Sequence, residues 1–270
     1  MRFSPEEAID RGLCTSCGRC SAVCPSGAAS GGAGVPPAFD LRRCISCGHC
    51  SAFCPVDAFH SGSLPGSSAA CGIDPLLELY SGRRSVRVFA PVEVTEAERA
   101  KMLSVIGYCP TGVNRCGIVV RAFGGAEAGS LHESVRRALR PFWKIGPLRL
   151  IGAVSGYGAV LRRFMKGEDL IFRQAPLVLF FFTPRRNPTS AEDGVIAASM
   201  VMTAACSMGF GSFWNGVARI LYHITPSWRR LAGAPRGSRL CAVLCLGRPA
   251  FESRPLPPRE WTLLDGSGGP

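Results

Sequence analysis

The strongest constraint on this chain is a run of cysteines that occurs twice. Cys14-Thr-Ser-Cys-Gly-Arg-Cys-Ser-Ala-Val-Cys-Pro25 returns 30 positions later as Cys44-Ile-Ser-Cys-Gly-His-Cys-Ser-Ala-Phe-Cys-Pro55. Each run reads C-x2-C-x2-C-x3-C-P. Soft thiolates suit iron–sulfur clusters, and the short spacing lets one tight loop aim three of them at a single cube. A pair of zinc sites would instead use CxxC pairs separated by a longer loop, without a terminal proline.

In chains with two such runs, the fourth cysteine of each serves the other cluster. This assigns Cys14, Cys17, Cys20 and Cys54 to one [4Fe–4S] cluster, and Cys44, Cys47, Cys50 and Cys24 to the second. The crossing ties together two halves that share almost no apolar core. The doubled motif resembles the bacterial-type ferredoxins over about residues 10–60. Six further cysteines, at 71, 109, 116, 206, 241 and 245, are scattered and expected to be mostly buried packing residues.

A disulfide framework is the competing use for 14 cysteines. The opening Met1-Arg2-Phe3-Ser4-Pro5-Glu6-Glu7 has no apolar signal segment, so the expected compartment is a reducing cytoplasm. Val195 to Trp214 is uncharged and about as long as a bilayer requires. Its serines, threonine and closing glycines predict a buried central helix rather than a membrane span. The net charge of +12 lies in dispersed arginine pairs beyond residue 70, a solvated basic surface and not a nucleic-acid motif.

Ser61-Gly-Ser-Leu-Pro-Gly-Ser-Ser68 breaks the composition and reads as a joint. The expected organisation is a cluster domain over 1–60, a linker over 61–73 and a larger domain over 74–270. In the larger domain Thr95-Glu96-Ala97-Glu98 predicts a capped helix to about Ile106. Strands are expected over 116–123, 175–183 and 240–246, and helices over 131–139, 190–208 and from Thr225. Buried strands alternating with helices indicate an α/β or α+β domain.

No complete G-x-G-x-x-G or Walker sequence is present, so a cofactor must be held otherwise. Four stretches offer the means. Ser81-Gly-Arg-Arg-Ser-Val-Arg87 gathers three guanidiniums and hydroxyls suited to phosphate or ring carbonyls. Pro110-Thr-Gly-Val-Asn114 is a turn presenting an amide. Gly209-Phe-Gly-Ser-Phe-Trp-Asn-Gly216 permits close backbone approach to a flat ligand. Gly247-Arg-Pro249 precedes Arg254-Pro-Leu-Pro-Pro-Arg259, another basic phosphate candidate.

In this order the four stretches resemble the FMN-dependent nitroreductase family over about residues 74–262, and the whole chain resembles a ferredoxin–nitroreductase fusion. The resemblance implies an α+β fold: a small two-cluster ferredoxin domain, then a nitroreductase-like domain whose central antiparallel or mixed sheet is flanked by helices. It implies that Arg83, Ser85 and Arg87, with Arg84, contact FMN, and that Asn114 lies at the flavin ring. It places Asn215 and Gly216 where backbone amides face the flavin N5 edge, and Arg259 or Arg254 at the phosphate. It further implies a homodimer built on the helix from Ala191. Electrons would come from an external low-potential donor and pass through the clusters and FMN to a small organic acceptor such as a nitroaromatic, quinone or enone. Two departures bear on the substrate: Arg115-Cys116-Gly117 follows Asn114, and Asn215 replaces a common acidic residue. The four histidines form no constellation, so no acid or base is assigned. The competing class is a non-catalytic electron carrier or redox sensor.

Overall fold

The computed structural model describes residues 3–60, 72–145 and 158–263. The chain divides into two units, one formed by Met1–Ala70 with Val113–Arg115, the other by Cys71–Gly112 with Cys116–Pro270. Most of the expected linker lies outside the described residues, as does Cys71; Ile73 already begins a helix.

The cysteine-rich unit consists of short pieces: α1 (Pro5–Ala8), α2 (Arg19–Ala22), β1 (Ala29–Gly32), β2 (Val35–Phe39) and α3 (His49–Ala52). The sequence repeat is also a conformational one. Ser16 and Ser46 take φ of 54° and 53°, and Gly18 and Gly48 take 77° and 74°. Each run therefore turns left-handed twice and opens a one-turn helix at its glycine. Antiparallel β1 and β2 occupy the Gly- and Ala-rich connection, which by composition alone reads as a loop. The ends of the unit meet where Asp10 N–H donates to Ala58 O (2.6 Å) and His60 N–H to Ala8 O (2.7 Å). Few apolar side chains are buried here, chiefly Ala28, Ala29, Ala58 and Phe59.

The larger unit contains α4 (Ile73–Gly82), α5 (Glu96–Leu103), β3 (Val119–Gly124), α6 (Gly125–Ile145), α7 (Gly158–Met165), β4 (Leu177–Pro184), α8 (Ser190–Ser207), β5 (Gly211–Trp214), α9 (Gly216–Ile224), α10 (Pro226–Leu231) and β6 (Ser238–Gly247). The four strands form an antiparallel sheet in the order β3-β4-β6-β5.

Strand period explains the layering: alternate residues of a strand face opposite sides. Val178, Phe180 and Phe182 of β4 enter one core with Leu131, Val135 and Leu139 of α6 and Trp228 of α10. Leu177, Leu179 and Phe181 enter the other core with Ala197, Ala198, Val201 and Ala205 of α8. A central strand covered on both faces has no polar side, which is why β4 reads as an uninterrupted apolar run. The small residues of α8 let it lie close on the sheet, and Gly194 sits directly over Cys241.

The Thr95 capping box forms as expected: Glu98 N–H donates to Thr95 Oγ1 (3.2 Å), while Thr95 N–H donates to Glu98 Oε2 (3.0 Å). α5 ends at Leu103 and continues as a 3-10 turn, Ser104–Tyr108. β3 starts three residues later than expected because Cys116 takes φ 44°, outside strand geometry. No helix among the described residues is long and apolar enough to cross a membrane.

Candidate redox sites

In the cysteine-rich unit the eight cysteines surround two cavities. One is lined by Cys14, Cys17, Cys20, Cys50 and Cys54. The other is lined by Cys24, Cys44, Cys47 and Cys50. Each cavity thus receives the last cysteine of the opposite run. The thiols ring a volume instead of converging on a point: among the described residues no three His, Cys, Asp or Glu side chains gather as a single metal ion requires.

Backbone amides are aimed at the sulfurs. Ala28 and Ala29 N–H donate to Cys24 Sγ (3.2 and 3.4 Å), Ser46 N–H to Cys44 Sγ (3.4 Å) and Ala58 N–H to Cys54 Sγ (3.3 Å). Donors of this kind favour the thiolate that a cluster needs. An amide hydrogen bond at Arg19 lowers the Cys17 pKa. At Cys24, burial opposes the anion, but the surrounding donors outweigh it and the pKa falls. Burial dominates at Cys50 and pushes its thiol up to about 11.

Asn114 belongs to this unit. Its Nδ2 donates to the carbonyls of Ile45 (3.1 Å) and Ser46 (2.9 Å), between Cys44 and Cys47. Val113 and Asn114 both have positive φ, 47° and 53°. The turn before them is set by Asp193, whose Oδ1 accepts from Gly112 N–H (3.0 Å) and whose Oδ2 accepts from Asn187 Nδ2 (2.9 Å). Gly112 lies against Thr189 so closely that a Cβ would collide with it. The expected flavin-ring role of Asn114 thus meets an amide already engaged with backbone carbonyls.

In the larger unit three of the four stretches come together. Ser85 bridges Ser212 of β5 in parallel, and Val86 N–H donates to Ser212 O (3.0 Å). Gly211 makes this approach possible, since a Cβ there would lie 2.5 Å from the Val86 side chain. Phe89 bridges Pro249, and Ala90 N–H donates to Arg248 O (2.8 Å). Past β6, Ser253 Oγ reaches Gly82 O (3.5 Å), one residue from Arg83 and from Arg254.

This junction is cationic and lacks counter-charge. Among the described residues none of Arg83, Arg84, Arg87, Arg254 or Arg259 has a carboxylate partner. Arg84 donates through Nη1 to Arg83 O (2.8 Å), while its Nε and Nη2 are buried without a partner. Buried donors left unmade are costly, so this guanidinium is arranged for an acceptor beyond the protein atoms present. Arg87 donates to Ser85 O (3.2 Å) and lies over the Phe213 ring at 5.8 Å. Arg248 has a framework role: it pairs with Glu98 (2.8 Å), donates to Met208 O (2.9 Å) and covers the Phe210 ring. Arg254 and Arg259 are exposed on the final segment.

Asn215 donates its own N–H to Val243 O (2.8 Å), within the sheet. Its side chain is only 2% exposed and holds three elements together: Oδ1 caps α9 at Ala218 N–H (3.0 Å), and Nδ2 donates to Ile171 O (2.9 Å) and toward Cys245 Sγ (3.3 Å). Gly216, at the first position of α9, has open space where a Cβ would be. Of the scattered cysteines described, Cys109, Cys241 and Cys245 are buried, Cys206 is partly buried, and Cys116 is exposed. Cys109 packs with Met102 and α8.

Sheet, central helix and cationic junction make an α+β module, preceded by a cysteine-lined module. The model of the nitroreductase family matches residues 80–248, more than half of the chain, and the chain belongs to that family. A second model, of a 4Fe-4S dicluster domain, matches residues 7–55. Similar solved structures include a nitroreductase with bound FMN from Bacteroides fragilis, 18% identical, covering 71% of this chain and 96% of that one at a TM-score of 0.53. A nitroreductase with bound FMN from Desulfitobacterium hafniense is 17% identical, with coverage of 70% and 97% and a TM-score of 0.54. The FMN-dependent nitroreductase of Mycobacterium smegmatis, in complex with NADPH, is 22% identical, with coverage of 66% and 89% and a TM-score of 0.52. At these identities the likeness is one of fold. No curated protein matches the chain.

Proposed function

We propose that this chain is an FMN-dependent oxidoreductase in which electrons from an external low-potential donor pass through two [4Fe–4S] clusters to the flavin, and from there to a small organic acceptor such as a nitroaromatic, quinone or enone. One observation carries the reading: the eight cysteines line two cavities, Cys50 facing both, in a chain whose residues 80–248 match the nitroreductase family. Cys14, Cys17, Cys20 and Cys54 hold one cluster, and Cys24, Cys44, Cys47 and Cys50 the other. When bound, the clusters supply one-electron chemistry, and FMN supplies the conversion to two-electron reduction.

The chain's own groups bind and orient. Arg84 meets the flavin phosphate or ring with its two buried, unpartnered nitrogens, and Arg83 and Arg87 complete the cationic rim. Ser85 contributes a hydroxyl, Gly216 a backbone N–H at the start of α9, and Arg254 or Arg259 a further guanidinium. No side chain is assigned as acid or base, so protons come from solvent or substrate. The chain acts as a homodimer in a reducing cytoplasm, with the exposed Val195 and Ile196 of α8 and Leu77 and Tyr80 of α4 covered by the second copy.

Anaerobic protein should contain about eight iron, about eight sulfide and about one FMN per chain. With a reduced low-potential donor it should turn over a nitroaromatic or quinone. An Arg84→Ala variant that has lost flavin but kept iron should accept electrons and fail to pass them on. Zinc in place of iron, or turnover in the flavin-free variant equal to the parent's, would refute the proposal.

A further inference from the structure

We infer that Asn114 is a positioning residue for the cluster held by Cys24, Cys44, Cys47 and Cys50, and that it raises that cluster's reduction potential relative to the other. This rests on the cluster assignment proposed above. The argument turns on one peptide unit. Asn114 Nδ2 donates to the carbonyl of Ile45 (3.1 Å), and the N–H of the same peptide, that of Ser46, donates to Cys44 Sγ (3.4 Å). Donation to the oxygen of an amide polarises it and strengthens the bond its N–H makes. The Asn114 amide therefore acts on Cys44 through a single shared peptide. Its second bond, to Ser46 O (2.9 Å), fixes the next peptide of the loop, where Ser46 itself is held at φ 53°.

The backbone leading to Asn114 supports a dedicated role. Val113, a β-branched residue, sits at φ 47°, ψ 33°, and Asn114 follows at φ 53°. A β-branched residue rarely adopts this conformation, and it persists only where the surroundings determine it. Gly112, immediately before, is fixed by Asp193 (3.0 Å), and Cys116 N–H, two residues after, donates to Thr111 Oγ1 (3.0 Å). In the first run Ser16 takes the same conformation as Ser46, but its carbonyl accepts from a backbone donor, Gly34 N–H (3.1 Å), and among the described residues no side-chain amide donates to the Thr15 carbonyl as Asn114 does to Ile45. Hydrogen bonds to cluster sulfur stabilise the more negative, reduced state, so the cavity holding Cys44 should house the cluster of higher potential. Its sulfurs also receive the two amide donors at Cys24.

The test is Asn114→Gly in the full-length holoprotein, since glycine accepts the positive φ and deletes only the side chain. Iron, sulfide and FMN are counted, and both clusters are titrated by EPR at controlled potential. The expected result is full iron content, one midpoint moved to more negative potential and the other unchanged. Asn114→Gln, which keeps the amide, should restore part of the shift. Two unmoved midpoints would overturn the inference, whether or not flavin is lost. If the glycine variant assembles only one cluster, comparison with the spectrum of Cys20→Ala decides: loss from the Cys44 set supports the inference, and loss from the Cys14 set or from both overturns it. A parent protein without two clusters would instead defeat the functional proposal itself.

Discussion

The two units are stabilised by opposite means. The cysteine-rich unit buries little beyond three alanines and Phe59, and its longest helix has four residues. The larger unit buries two apolar layers, one on each face of a four-stranded sheet. A module of the first kind depends on its ligands for structure, because so small a core cannot offset chain entropy. A module of the second kind folds first and binds afterwards. The same chain therefore carries one cofactor class as a framework element and another as a guest.

Removing iron breaks this symmetry most severely. Anaerobic chelation should abolish amide-exchange protection across residues 3–60 while β4 and β6 keep theirs, because metal-ligand free energy is folding free energy for a module of this kind. Retained protection in the stripped cysteine-rich unit would show that its core suffices alone. The opposite experiment is removal of the guest. Arg84→Ala deletes a charge-assisted contact worth about 1.5–3 kcal/mol, or roughly 10–150-fold in FMN affinity, with folding and iron content intact. A flavin titration reads this directly, and unchanged affinity would remove Arg84 from the site.

The contrast also explains what was legible in the sequence. Eight cysteines packed into two contiguous runs declare an iron–sulfur module through spacing alone. The flavin-type site is assembled from stretches more than 100 positions apart, so its parts read individually as turns and surface charge. The burial of the Arg84 nitrogens is a product of the tertiary fold and leaves no mark in the sequence. β5 was concealed because Gly209-Phe-Gly-Ser looks like a turn, and only pairing with β6 makes it a strand. Asn114 and Asn215 were recognised as special by position, yet the structure commits their amides to backbone carbonyls, a use that residue type cannot distinguish from ligand binding. Hydrogen-bond competition is a tertiary fact.

Asn215 sharpens the comparison at a smaller magnitude. As a helix cap with two further buried bonds, its replacement by alanine should cost about 2 kcal/mol, near the upper range for a cap. In a unit of this size that corresponds to roughly 4–8 °C in Tm. FMN affinity should change far less than in Arg84→Ala. A variant with the parent's Tm but without flavin would restore Asn215 to the binding site.

The smallest effect belongs to Glu98, and it tests whether the larger unit is fastened by charge as well as by packing. The Glu98 carboxylate lies below the ordinary range, first through the Thr95 amide, then through the Thr95 hydroxyl and the Arg248 guanidinium. A depressed folded-state pKa adds stability that is complete above the ordinary glutamate value and disappears as pH falls through the folded one. Acidification should therefore lower the parent's Tm partly through this group. In Glu98→Gln the side chain still closes the capping box but binds no proton, so its Tm deficit is largest near neutrality and narrows as pH falls below the ordinary glutamate range. All four tryptophans lie in the larger unit, at positions 143, 214, 228 and 261, so their fluorescence follows its unfolding separately from the clusters. A deficit independent of pH would show that Glu98 acts through geometry alone, and that the Arg248 ion pair adds nothing to the fastening of α5 against the end of β6.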